Sequence, residues 1–161
     1  MKMPTQRHSF IQSPARQLLA IVATLCLLAT SGSHAQSAQE FADHVVHYNA
    51  MNASMLTPAV AQQYNIQRST SRGLINITVL EKVMDMPNRP VHAVVNVTAR
   101  NLTGQLRTLD MQEVEEQGAI YYLGQLRVRD EETFDFHVEV TPDGSTTPLV
   151  LEFRQQFYTG E

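Results

Sequence analysis

Phe134-Asp135-Phe136-His137-Val138-Glu139-Val140 alternates apolar and polar side chains without a break. Successive strand residues point to opposite faces, so Phe134, Phe136, Val138 and Val140 address a core while Asp135, His137 and Glu139 address water. This is the pattern of an antiparallel strand buried on one side.

The same period recurs on both sides of this segment. Leu149 to Phe157 turns Leu149, Leu151, Phe153 and Phe157 inward. Ile120 to Val128 presents Ile120, Tyr122, Leu126 and Val128, and Val91 to Ala99 presents Val91, Ala93, Val95 and Val97. Gly73 to Leu80 places Ile75, Ile77 and Val79 on one face. Ala42 to Ala50 is a further strand of ambiguous face. Leu106 to Val114 loses phase between Met111 and Val114, which suits a bulge.

Turn chemistry separates these runs. Asn101-Leu102-Thr103-Gly104 and Glu116-Gln117-Gly118 read as hairpin connections, Pro142-Asp143-Gly144 as a turn, and Asn88-Arg89-Pro90 as a break. The one helix expected lies near residues 57–64, where Thr57 can cap, Pro58 suits the first helical position, and Val60, Ala61 and Tyr64 share a face. It is placed as a plug at one end of the strands. About seven short strands with regular turns predict an all-β fold, an antiparallel two-sheet sandwich of immunoglobulin-like type.

Upstream, Arg16 to Ala35 combines a basic flank, an apolar run from Leu18 to Ala29 and Ser33-His34-Ala35, small residues at the two positions a signal peptidase inspects. The run is shorter than the roughly 20 residues a membrane-crossing helix needs. Residues 1–35 therefore read as a cleaved signal peptide and residues 36–161 as a single β-sandwich domain of 126 residues (161 − 35), working in the periplasm with no membrane span. The sole cysteine, Cys26, leaves with the signal, which excludes a disulfide framework, a thiol nucleophile and a thiolate metal site from the remainder. Lys2, Arg7 and Arg16 leave too, so the remainder carries 9 basic (12 − 3) against 16 acidic side chains. Nucleic acid is a poor partner for such a chain.

Chemistry-bearing residues are sparse. His44 and His47, three apart in a strand, point to opposite faces and cannot chelate together without a bulge. His137 has Asp135 and Glu139 on its own face, a row that a cation could use. The structural alternative is cross-strand pairing. A hairpin between Ile120 to Val128 and Phe134 to Val140 sets Arg127 opposite Asp135, and Leu149 to Phe157 on the other side sets Arg154 beside Asp135 and Glu152 beside His137. The carboxylates of Glu113, Glu115 and Glu116, and of Asp130, Glu131 and Glu132, adjoin turns, where such groups are normally solvated. No Gly-x-Ser-x-Gly elbow or glycine-rich phosphate loop is present. Arg68 and Arg72 flank a Ser-Thr-Ser segment and could clamp a carboxylate or phosphate, or could pair with acids such as Asp43 or Glu81 and fix the loop.

His47-Tyr48-Asn49-Ala50, Leu56-Thr57-Pro58, Arg68-Ser69, Arg72-Gly73-Leu74-Ile75-Asn76-Ile77, Asn101-Leu102-Thr103-Gly104-Gln105, Arg107-Thr108-Leu109-Asp110, Ile120-Tyr121-Tyr122 and Phe157-Tyr158-Thr159 together resemble DUF4426, an exported bacterial family of unknown function. The resemblance implies a small periplasmic protein and assigns no catalytic residue. The expectation is a noncatalytic binding or interaction module of the bacterial envelope, with Arg68, Arg72, Tyr48 and Asn49 as candidate binding residues, no cofactor, and an envelope protein or small ligand as partner. The alternative is a metal-dependent or hydrolytic enzyme built on Asp135, His137 and Glu139.

Overall fold

A computed structural model describes residues 37–160; the signal-peptide reading of residues 1–35 lies outside them. The chain forms β1 (Ser37–Glu40), β2 (His44–Asn52), a 3-10 turn (Ala53–Met55), α1 (Pro58–Gln63), β3 (Arg72–Glu81), β4 (Arg89–Pro90), β5 (Ala93–Asn101), β6 (Leu106–Leu109), β7 (Met111–Glu116), β8 (Ala119–Arg127), β9 (Glu132–Pro142) and β10 (Leu149–Phe157). Two antiparallel sheets result. One has the order β1-β2-β3-β8-β7, with β4 paired to β3, and the other β10-β9-β5-β6. The expected two-sheet sandwich is present.

The alternating segments supply its interior. Phe134, Phe136, Val138 and Val140 are buried with Ile75, Ile77, Val79, Val97, Ile120, Leu126, Leu151 and Phe157 in one cluster. A second, smaller cluster lies on the outer face of the larger sheet, where Ala53, Ala61 and Ile66 pack with Leu74, Leu56, Tyr64 and Leu123. The short helix forms as expected, with Pro58 opening it and the Thr57 hydroxyl accepting from the Val60 N–H. It does not plug an end of the sandwich. Leu74 and Leu123 give the outer face an apolar patch, and burying that patch is what draws the helix there.

Two expected pairings are corrected. Ile120 to Val128 and Phe134 to Val140 do not form a hairpin, because β8 pairs with β3 and β7 whereas β9 pairs with β5 and β10. Arg127 consequently lies opposite Arg72, not Asp135. Nor is Leu106 to Val114 one bulged strand. It divides at Asp110 into β6 and β7, which belong to different sheets. Val114 is opposite Tyr121 and Glu113 opposite Tyr122, so alternation persists and Val114 lies on the outer face. Glu113 points inward at a sheet edge, where its carboxylate accepts from the Tyr122 hydroxyl at 2.9 Å.

Tyr122 couples the two sheets. Its hydroxyl accepts the Ala93 N–H of the opposite sheet at 2.7 Å, and burial, reinforced by the bond to Glu113, pushes its pKa up to about 12. Tyr122→Phe leaves the Ala93 N–H without that acceptor and should cost about 1–3 kcal/mol in urea unfolding. Gly73 lies under Phe157, and a Cβ there would meet Phe157 Cε1 and Leu126 Cδ2 at 2.8 Å. At Gly124 the obstruction is chiefly the flexible tip of Met111. Gly73→Ala should therefore destabilise by about 1–3 kcal/mol and Gly124→Ala by clearly less, as measured by the same unfolding curves.

Candidate functional site

The division at Asp110 has a geometric consequence. β7 covers β8 only as far as Gly124, and residues 125–127 have no strand partner on that side because the chain has crossed to the other sheet. A cleft of about 660 Å³ opens there, lined by β6, the end of β8, the start of β3 and the loop of residues 67–71. Arg107 of β6 reaches across. It donates to the Arg127 carbonyl, lies 5.3 Å from the Phe134 ring centroid and approaches Glu132 at 3.8 Å.

Arg72, Arg107, Arg127 and Arg129 all line this cleft, four of the 12 lysine and arginine residues of a chain whose formal charge is −4. Arg72 and Arg127 are direct register partners on the outer face of the sheet. Like charges so placed repel. The Ser69 and Ser71 hydroxyls lie 2.9 Å apart at the rim, and the Ser71 carbonyl accepts from the Val128 N–H at 2.9 Å, which fastens the loop to β8. Glu132 accepts from the Arg129 N–H at 2.9 Å and from Asn101 at 3.0 Å, so this carboxylate holds the turn after β8.

Of the candidate binding residues, only Arg72 lines the cleft. Arg68 donates to the carbonyls of Leu56 at 2.7 Å and Ser54 at 3.1 Å, fixing the loop through backbone acceptors and not through Asp43 or Glu81. Tyr48 stacks on Phe153 with ring centroids 4.7 Å apart, and Asn49 pairs with Asn76 on the opposite face of β2. The four do not converge. Arg107, Arg127 and Arg129 were not singled out for binding by the sequence, although two arginines flanking Val128 in an acidic chain are a visible signal.

The row on β9 forms the cross-strand pairs expected with β10. Arg154 holds Asp135 through two hydrogen bonds of 2.6 and 3.1 Å, and that bond holds the Asp135 carboxyl below its usual range. His137 Nδ1 meets Glu152 at 3.0 Å and Nε2 meets Glu139 at 3.3 Å. Among the described residues, no three His, Cys, Asp or Glu side chains are grouped so as to hold a metal ion. Nor are the carboxylates near the turns simply solvated: Glu116 accepts from Tyr64 and Gln63, and Asp130 accepts the Thr159 N–H at 2.7 Å. No described helix is long and apolar enough to cross a membrane.

The family model for a domain of unknown function, DUF4426, matches residues 38–160. The chain belongs to the DUF4426 family. A crystal structure of a DUF4426 family protein from Pseudomonas aeruginosa PAO1 is 35% identical, with a TM-score of 0.68 over 78% of this chain and 96% of that one. A copper-bound variant of FetP from uropathogenic Escherichia coli strain F11 has a TM-score of 0.52 at 7% identity, over 76% of this chain and 95% of that one, a likeness of fold alone. No curated protein matches the sequence.

The bonds to Glu152, and then to Glu139, raise the His137 pKa above its ordinary 6.5. A histidine with a raised folded-state pKa stabilises fully below its unfolded value and loses that contribution as pH rises through the folded value. The melting-temperature gap between the wild type and His137→Gln should therefore be larger at about pH 5.5 than at about pH 8.5.

Proposed function

We propose that this DUF4426 protein is an exported, noncatalytic binding module of the bacterial envelope whose ligand occupies the cleft between β6, β8 and the 67–71 loop. The observation that carries the reading is the cleft itself, about 660 Å³ of polar-lined space kept open by the crossing at Asp110. That volume lies within the roughly 300–1,000 Å³ of small-molecule sites, as does a cleft of about 640 Å³ over β9 and β10, where Asp135 and His137 are paired with Arg154 and Glu152. Its side chains are suited to holding and not to reacting. No histidine lines it, the lining serines Ser69 and Ser71 bond to each other, and Glu132 is engaged by backbone and amide donors. General-base activation of a hydroxyl needs a base within hydrogen-bond reach, and none faces these serines among the described residues.

The enzyme reading on β9 is less well supported, since Asp135 is committed to Arg154 and both His137 nitrogens face carboxylates of the same surface. Export is supported by the signal-like pattern that ends at Ala35.

Native and denatured mass spectra of untagged protein from the periplasm of its host test both parts. The denatured mass should correspond to a Gln36 start, and the native spectrum should carry extra mass that is absent from Ser71→Trp, in which an indole obstructs the cleft. A cytoplasmic chain that retains residues 1–35 would overturn export, and a bare chain in both proteins would overturn binding.

A further inference from the structure

The arginines of the described chain divide into two groups. Arg68 is bonded to carbonyls, Arg89 to Glu81, Arg107 to the Arg127 carbonyl and Arg154 to Asp135. Among the described residues Arg100 is in no ion pair, but it lies in register beside Asp135 and outside this cleft. Arg72, Arg127 and Arg129 are in none of the ion pairs among the described residues, and all three line the cleft.

The same arrangement is unfavourable without a counter-charge. Arg72 and Arg127 are set opposite each other on one sheet face, where an acidic partner would be the ordinary choice in a chain with 16 acids and 12 bases. The one carboxylate in the lining, Glu132, is already turned to Arg107 and Asn101. Guanidinium groups present rigid forks of donors matched to carboxylate and phosphate oxygens, and the bonded Ser69–Ser71 pair leaves one hydroxyl proton to donate at the rim.

We infer that the cleft takes a small multivalent oxyanion, a phosphomonoester or a di- or tricarboxylate, gripped by Arg72, Arg127 and Arg129. This rests on the binding reading above and names its ligand class. The anion supplies the missing negative charge, relieving the repulsion between Arg72 and Arg127. A singly charged ligand answers only part of that field.

The test is calorimetric titration and thermal shift of the purified protein with inorganic phosphate and with citrate, against sodium chloride at matched ionic strength and against glucose. Phosphate, citrate or both should bind and raise the melting temperature where chloride and glucose do not, and which of the two binds more tightly separates phosphate from carboxylate ligands. Arg127→Gln should weaken that binding at least tenfold while leaving the ligand-free melting temperature equal or higher, a combination that a merely structural arginine would not produce. Arg129→Gln, outside the strands, should also weaken binding, and Arg100→Gln should not. Oxyanions no better than chloride, or unchanged affinity in Arg127→Gln and Arg129→Gln, would overturn the inference. If extra native mass nevertheless persists and is lost in Ser71→Trp, only the ligand class has failed; if no extra mass exists, the binding reading has failed with it.

Discussion

Burial of the apolar face of β9 is the constraint on which the rest depends. β9 lies between β10 and β5, and its Phe134 and Phe136 are almost fully buried. Their rings lie 6.1 Å apart, Phe157 stands edge-on to both at 6.2 and 6.4 Å, and Phe136 stacks on Phe153 at 4.8 Å. Tyr48 continues the column into the other sheet through its stack on Phe153. The fully buried rings of Phe134, Phe136 and Phe157 each contribute about 1.5–3 kcal/mol through burial alone, before any preference in ring geometry. With no cysteine beyond Cys26, no disulfide ties the two sheets together, and this packing holds them instead.

The second determinant is the change of sheet at Asp110. Leu109 is buried on β6 of the smaller sheet, and one exposed residue later Met111 begins β7 of the larger one. A single chain thereby clips the two sheets together along one side. The cost is an incomplete sheet, since β8 outruns β7, and Arg107 partly offsets it by donating to the Arg127 carbonyl that a strand would otherwise meet. The cleft is a product of this connection and not of a dedicated loop insertion.

Much of the architecture was legible in the residues. Strand positions, inward faces, the short helix and the turns at Gly104, Gly118 and Gly144, each at positive φ, follow from local rules of alternation and backbone freedom. So did the β9–β10 pairs, because a one-residue slip between two adjacent strands would turn one apolar face to water, and the short connection after Pro142 limits larger shifts. The partner of β8 was not legible. Nearness in sequence favoured β9, yet the turn from Arg129 to Glu132, with Glu131 at φ +54°, carries the chain from one sheet into the other.

The candidate site divides the same way. Arg72 stood out because it flanks a short polar loop, whereas Arg107, Arg127 and Arg129 come from other segments and become a set only through the crossing at Asp110 and the β3–β8 register. By itself the sequence determined the alternation, the turns, the absence of thiol chemistry after Cys26 and the family, because each is written in neighbouring residues or their sum. The partners of β8, the seat of the helix and the set of arginines that share a cleft emerge in three dimensions alone. Those depend on contacts between distant segments, and many pairings satisfy the same local pattern until the two apolar faces are closed against each other.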